Sequence, residues 1–317
     1  MSLQLICASH SPLMLTDIEE SVEGTQKRFF SSLEETSRRL HEFSPDLIVL
    51  FGPDHFNGFF YEMMPPFCIG LAAEGTNDWG IRGRALRVPK DMALECARYL
   101  QRNDFDVAIS HDMKVDHGMT VPLMQLTGAL ARYDVLPVFV NCAADPRPSF
   151  RRVRMLGEAI GNFLADKKDL NITLIGSGGL SHDPPTPRLD RTSASGSARL
   201  INRSVPTEEE YAAREACVVR TAHDLVNQRG PCLPPSEEWD KGFIRKLGDF
   251  DTEALDAITD REIDRLAGFG AHEVRTWVAA TAAARALGEG QLQLDYYSVV
   301  PEWLTGMCIM SSPGKSA

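Results

Sequence analysis

Short apolar runs ending on turn residues punctuate the first 180 residues, and longer amphipathic segments separate them. The runs are LQLIC (3–7), DLIVLF (46–51), FCIGLA (67–72), DVAIS (106–110), VLPVFVN (135–141) and NITLIGS (171–177). Between them, 17–43 carries Ile18, Val22, Phe29, Phe30, Leu33 and Leu40 at roughly helical spacing. Pro89 opens a helix through MALECARYL, 120–132 reads as a helix with Thr120 as N-cap, and FRRVRMLGEAIGNFL (150–164) is amphipathic. This alternation predicts an α/β layered fold with a central mixed or mostly parallel sheet flanked by helices. Pro137, which cannot donate to a ladder, suggests an edge strand or a bulge at 135–141.

The texture changes after residue 183. PPTPRL and SASGSA precede a helical stretch, EEEYAAREACVVRTAHDLV. We read 184–240 as a surface excursion or oligomer-forming arm, so that 1–317 forms a single α/β domain. A strong helix, HEVRTWVAATAAARAL (272–287), is stopped by Gly288 and Gly290, and DYYSVV and MCIMS close the chain as strands.

Composition narrows the classes of function. The chain has 317 residues, 43% hydrophobic and 24% charged, which is ordinary for a globular protein. A net charge of −11 disfavours nucleic acid as a partner and leaves a small anionic substrate open. The 7 cysteines form no CxxC pair, so neither a disulfide framework nor a zinc ribbon is expected, and a cytoplasmic setting suits them. No apolar run approaches the roughly 20 residues of a membrane span, and no basic leader opens the chain, so neither membrane insertion nor a signal peptide is expected.

Four of the 8 histidines share one position relative to the predicted strands. His10 follows LQLIC, His55 follows DLIVLF through GPD, His117 follows DVAIS, and His182 follows TLIGS through GGLS. In open α/β sheets ligands bind outside the carboxyl ends of the strands, where these imidazoles can converge. Two histidines and a carboxylate with open positions suit non-haem Fe(II). His10 and His55 are candidate ligands, Glu273 a candidate carboxylate, and His117 and His182 a candidate acid–base pair.

Chance placement after strands is the competing reading. His41, His111 and His223 read as surface residues, and His272 has no assigned role. GSGGLSHD (176–183) lacks the GK[ST] ending of a phosphate loop and the spacing of a nucleophile elbow, so its glycines are expected to let the backbone turn tightly and approach a ligand. Asp54 and Asp116 are either imidazole partners or solvated turn residues.

ASHSP, GPDHFNGFFYEMMPPFCIG, VDHGMTVPL, PVFVN, RMLGEAIG, GSGGLSHDPP and HEVRTWVAA occur in this order, and together they resemble class III extradiol ring-cleavage dioxygenases. The likeness runs from the N-terminus to about PEW at 301–303 and is densest at the histidine loops. It implies Fe(II) at His10, His55 and Glu273, with His182 as proton acceptor and His117 as proton donor. It implies dioxygen and a catechol with a carboxylated side chain, such as 2,3-dihydroxyphenylpropionate, as substrates, and a homo-oligomer. The segment 184–240 matches the family weakly and carries no assigned chemistry. Arg82, Arg84, Arg87 and Lys114 are the candidate partners for a substrate carboxylate. Two rivals stand beside this reading: a zinc hydrolase, which also uses His₂Glu, and a metal-binding interaction scaffold without catalysis.

Overall fold

A computed structural model describes residues 1–20, 22–76, 78–81, 84–203, 206–289 and 291–312. In chain order the first elements are β1 (Ser2–Ala8), α1 (Thr25–Phe43), β2 (Leu47–Gly52), β3 (Phe67–Gly70), β4 (Ala73–Gly75), α2 (Lys90–Arg102), β5 (Ala108–Ser110), β6 (Met113–Val115), α3 (His117–Thr127), β7 (Asp134–Val140), α4 (Phe150–Leu164) and β8 (Asn171–Ser177). There follow α5 (Ala194–Ile201), α6 (Glu208–Val226), α7 (Glu237–Gly248), α8 (Thr252–Asp256), α9 (Asp260–Leu266), α10 (Val274–Ala286), β9 (Gln293–Val300) and β10 (Thr305–Ser311). A short 3₁₀ turn, Phe269–Glu273, leads directly into α10.

Eight strands form one sheet in the order β5-β3-β7-β2-β8-β1-β10-β9. The four central strands, β7, β2, β8 and β1, are mutually parallel. The flanking pairs β3–β7, β1–β10 and β10–β9 are antiparallel. The fold is therefore the α/β layered one expected, with a sheet whose centre is parallel. Alternate strand residues enter opposite cores, as a pleated strand requires. Leu5, Cys7, Val49 and Phe51 pack with α2, α4 and α10, whereas Ile6, Ala8, Ile48 and Leu50 pack with α1 and α3. Burial on both faces explains why the central strands read as continuous apolar runs.

Register places the functional loops. β1 runs level with β8 from Ser2–Asn171 to Ala8–Ser177, and β2 meets β8 as far as Phe51–Gly176. The loops after β1, β2 and β8 thus leave the sheet at one edge. Helix α10 lies over β8 at very close range: a Cβ on Gly176 would sit 2.9 Å from Trp277 Cα. On its other side α4 admits it through Gly157, where a Cβ would sit 2.1 Å from the Ala279 carbonyl oxygen. Small residues at these two contacts let α10 press onto the sheet, and Glu273 is carried at its start.

Three local expectations change. Pro137 lies in an interior strand; β3 pairs with β7 only from Val138 to Val140, so the missing N–H falls beyond that ladder. Helix α3 begins at His117 rather than at Thr120, because the Asp116 side chain accepts from Gly118 N at 2.9 Å and caps it. Helix α1 begins at Thr25, after Gly24 at φ 75°. Gly288 ends α10 with φ 83°, while Gly290 is outside the described residues. Gly157→Ala is expected to cost about 1–3 kcal/mol or more by overpacking the α4–α10 contact. An unchanged urea midpoint would contradict this seating of α10.

Candidate active site

Each histidine is held by its own local device. In ASHSP the two serines act as pins. Ser9 Oγ accepts from Cys308 N at 3.0 Å, and Ser11 Oγ donates to the Trp303 carbonyl at 3.0 Å, fixing His10 between them. After β2, the buried Asp54 carboxylate accepts from the backbone N–H groups of Asn57, Gly58 and Phe59 at 3.2, 2.8 and 3.1 Å, which shapes the turn carrying His55. His117 is the first residue of α3. In the glycine-rich loop after β8, Gly179 N donates to Glu273 Oε2 at 2.9 Å. The close approach expected of these glycines is thus made to Glu273. Ser181 and Asp183 form no relay with His182: Ser181 Oγ accepts from Ser236 N, and Asp183 accepts from Phe269 N and Leu233 N.

These loops bring His10, His55, His182 and Glu273 together. His55 Nε2 lies 2.9 Å from Glu273 Oε1, His182 Nε2 3.4 Å from the same oxygen, and His10 Nε2 3.8 Å from Oε2. His117 joins them: its ring stacks on His55 at 4.2 Å between centroids and lies 5.8 Å from His10. Ring nitrogens of His10, His55 and His117 all fall within 4.8 Å of one another.

The outer nitrogen of every ring is spoken for. Ser177 Oγ donates its one proton to the Gly118 carbonyl at 2.5 Å, so it accepts from His10 Nδ1 at 3.0 Å. His55 Nδ1 faces Asp116 Oδ2 at 3.1 Å, and His117 Nδ1 faces Asp78 Oδ2 at 2.5 Å. His182 Nδ1 donates to the Leu180 carbonyl at 2.8 Å. Each partner accepts a proton, so Nδ1 carries a hydrogen, and a ring that gives up its Nε2 proton, as metal binding requires, presents a lone pair there. Four lone-pair nitrogens and one buried carboxylate are a donor set that fits a divalent transition metal with positions to spare.

Charge is arranged to match. Burial would raise Glu273, but His10 and His182, with hydrogen bonds from His182 and His55, hold its carboxyl well below the usual range. Burial pushes His10 down to about 3 against the pull of Glu273, keeping that imidazole neutral. Burial lowers His55 too, yet Asp116 and Glu273 outweigh it and hold it well above its ordinary value. For Asp116 the burial penalty is overcome by His55 and His117, which hold it low. Asp54 goes the other way, to about 8, through burial and the nearby Asp116 charge.

Residues 4–308 match the family model described as the catalytic LigB subunit of aromatic ring-opening dioxygenase. The chain belongs to this family. It is 42% identical over 311 residues to a 2,3-dihydroxyphenylpropionate/2,3-dihydroxicinnamic acid 1,2-dioxygenase of Cupriavidus pinatubonensis, covering 98% of each chain. It is 43% identical over 305 residues to the enzyme of the same name from Paraburkholderia xenovorans, covering 96% and 95%. With that of Escherichia coli it shares 40% over 315 residues, covering 98% and 99%. A ring-opening dioxygenase is an oxidoreductase, so the hydrolase and scaffold readings find no support.

In this LigB chain the histidine cluster opens into a cavity of about 350 Å³. One wall comes from the strand-end loops, and the other from α5, α6 and the Pro184–Pro187 stretch. The segment 184–240 therefore builds part of the site, a role its composition did not announce. Three of the four expected carboxylate partners do not line the cavity. Arg87 pairs with Asp134 and Lys114 with Glu74 and Asp112; Arg84 is exposed; Arg82 lies outside the described residues. The basic residues that line the cavity are instead Arg199 and Arg214. Asp78, the partner of His117, was also not singled out by its sequence. His272 is fully buried but belongs to another network, 3.0 Å from Asp264 and 2.7 Å from Arg275.

Asp116 is buried, and its oxygens accept from Gly118 N, His55 N, His55 Nδ1 and Asn57 Nδ2. Asp116→Asn places a donor among donors and is expected to cost about 1–3 kcal/mol near neutral pH. Because the folded-state carboxyl is held low, its contribution is complete above the unfolded value of about 4 and drains as pH falls below it. Urea midpoints of the two proteins should therefore converge on acidification below about pH 4, and a constant gap would contradict the depressed carboxyl.

Proposed function

We propose that this protein performs extradiol cleavage of a catechol carrying a carboxylated side chain, of the 2,3-dihydroxyphenylpropionate kind, with Fe(II) and dioxygen. The observation that carries this reading is the convergence of three Nε2 atoms on one buried glutamate, with the His117 ring beside them, in a LigB chain about 40% identical to enzymes named for that substrate. His10, His55 and Glu273 would hold the iron as two imidazoles and a carboxylate. Bound there, Fe(II) would supply Lewis acidity toward a ring hydroxyl and a redox-active centre through which electrons pass from the ring to dioxygen.

The chain's own groups do the rest. A phenol titrates near 10, so ionising the second hydroxyl at neutral pH needs a base in reach. His182 serves at Nε2: its Nδ1–H is tied to a neutral carbonyl, and the net pull of Glu273 over burial raises its affinity for a proton. His117 serves as donor at Nε2, its ring held in place by the Asp78 carboxylate at Nδ1. The buried rings and Trp79 limit water around the reacting atoms.

The test is anaerobic loading with Fe(II), addition of 2,3-dihydroxyphenylpropionate and air, and measurement of oxygen uptake with the coloured ring-fission product. No uptake by iron-loaded protein across several catechols would defeat the proposal. His10→Ala and His55→Ala are each expected to lose iron on desalting, read by metal content. His117→Gln and His182→Gln should keep iron and lose about 10²–10⁴-fold in kcat, the usual worth of a positioned acid or base. Iron loss in the latter pair, or full iron retention in the former, would reverse the assignment.

A further inference from the structure

We infer that Arg199 of α5 and Arg214 of α6 form a carboxylate-binding subsite that anchors the acidic side chain of the catechol; this rests on the reaction proposed above. Both residues line the same cavity as His10, His55, His117, His182 and Glu273. Arg199 supplies the decisive detail. Its Nε and Nη2 are buried and have no hydrogen-bond acceptor among the described residues. These two nitrogens form one edge of the guanidinium, the edge that meets a carboxylate through two parallel hydrogen bonds. A guanidinium does not shed its proton, so it stays charged, and leaving its donors buried without acceptors is costly. An incoming carboxylate removes that cost.

The neighbouring acids do not fill the edge. Glu210 reaches only Nη1 of Arg199, at 3.9 Å, and its other oxygen accepts from Thr207 N at 2.8 Å in the cap of α6. Glu215 accepts from Trp79 N at 2.7 Å. Arg214 donates from Nη1 to Asn57 Oδ1 at 3.3 Å, and Asn57 Nδ2 in turn donates to Asp116 Oδ2 at 2.9 Å. Arg214 is thereby tied to the loop that carries His55. Burial, then the like charge of Arg199, pushes Arg214 down, so the two cations feel each other across this wall. An anion between them relieves both the repulsion and the missing acceptors. The cavity of about 350 Å³ suits one aromatic ring with a short acid.

Two measurements test the inference. The first compares kcat/KM for 2,3-dihydroxyphenylpropionate with that for 3-propylcatechol, which keeps the ring and chain length and lacks the carboxylate. The parent should prefer the acid, and in Arg199→Met this preference should fall by roughly 10–100-fold, the worth of a charge-assisted pair. Arg199→Lys should recover part of it, as a point charge without the fork. Arg214→Met should lower the same ratio. A preference unchanged in both methionine variants overturns the subsite.

The second measurement is calorimetric binding of 3-phenylpropionate, which has no ring hydroxyls, to the metal-free protein. Binding by the parent that is lost in Arg199→Met supports the subsite even if no catechol is turned over. Equal binding, or none by the parent, overturns it. Failure of the parent to consume oxygen with either catechol instead defeats the reaction proposed above, and is read separately.

Discussion

One buried carboxylate organises the site. Glu273 sits at the mouth of α10, accepts a backbone N–H from the glycine-rich loop, and has the inner nitrogens of three imidazoles within 4 Å. Burying such a group unpaired would be prohibitive, so the surrounding donors are a condition of the fold as well as of the chemistry. The condition reaches outward. Glu273 can stand there only if α10 lies tight against β8, which Gly157 and Gly176 permit. The imidazoles can meet it only if the central parallel strands end level, which their register provides.

Differentiation among the four histidines comes from behind the rings. A serine hydroxyl, two aspartates and a peptide carbonyl each take the Nδ1 hydrogen, yet they differ in charge. A carboxylate behind an imidazole favours the cationic ring, and a carbonyl does so less. Burial holds His10 below its ordinary value, while Asp116 and Glu273 outweigh burial at His55, and Glu273 outweighs it at His182, and hold both above theirs.

The sheet centre was legible because its strands are buried on both faces and carry no charged residue from Leu47 to Gly52 or from Ile172 to Gly176. Helix α6 was legible in full, with Thr207 and Glu210 forming a capping box at its start. His10, His55, His117 and His182 were legible as neighbours through their common place after strands, and Glu273 through its place at the start of the last long helix and through family likeness. Other features were not. Asp116 was open to reading as a turn residue or as an imidazole partner, because its bond to His55, 61 residues away, is a tertiary fact. Asp78 stands 39 residues from His117, and nothing in local pattern links them. Arg199 and Arg214 fell in a stretch whose small residues and charges resemble any solvated surface, and only the packing of α5 and α6 over the strand ends gives them a ligand-facing position.

That division of the cavity has an evolutionary corollary. The reacting centre is rooted in the sheet edge, where a change in one strand disturbs its neighbours on both sides. The opposite wall is a segment between β8 and α7 that, among the described residues, contributes no strand to the sheet. Selection can therefore rework the pocket's taste for ring substituents by editing two helices, leaving the oxygen chemistry intact.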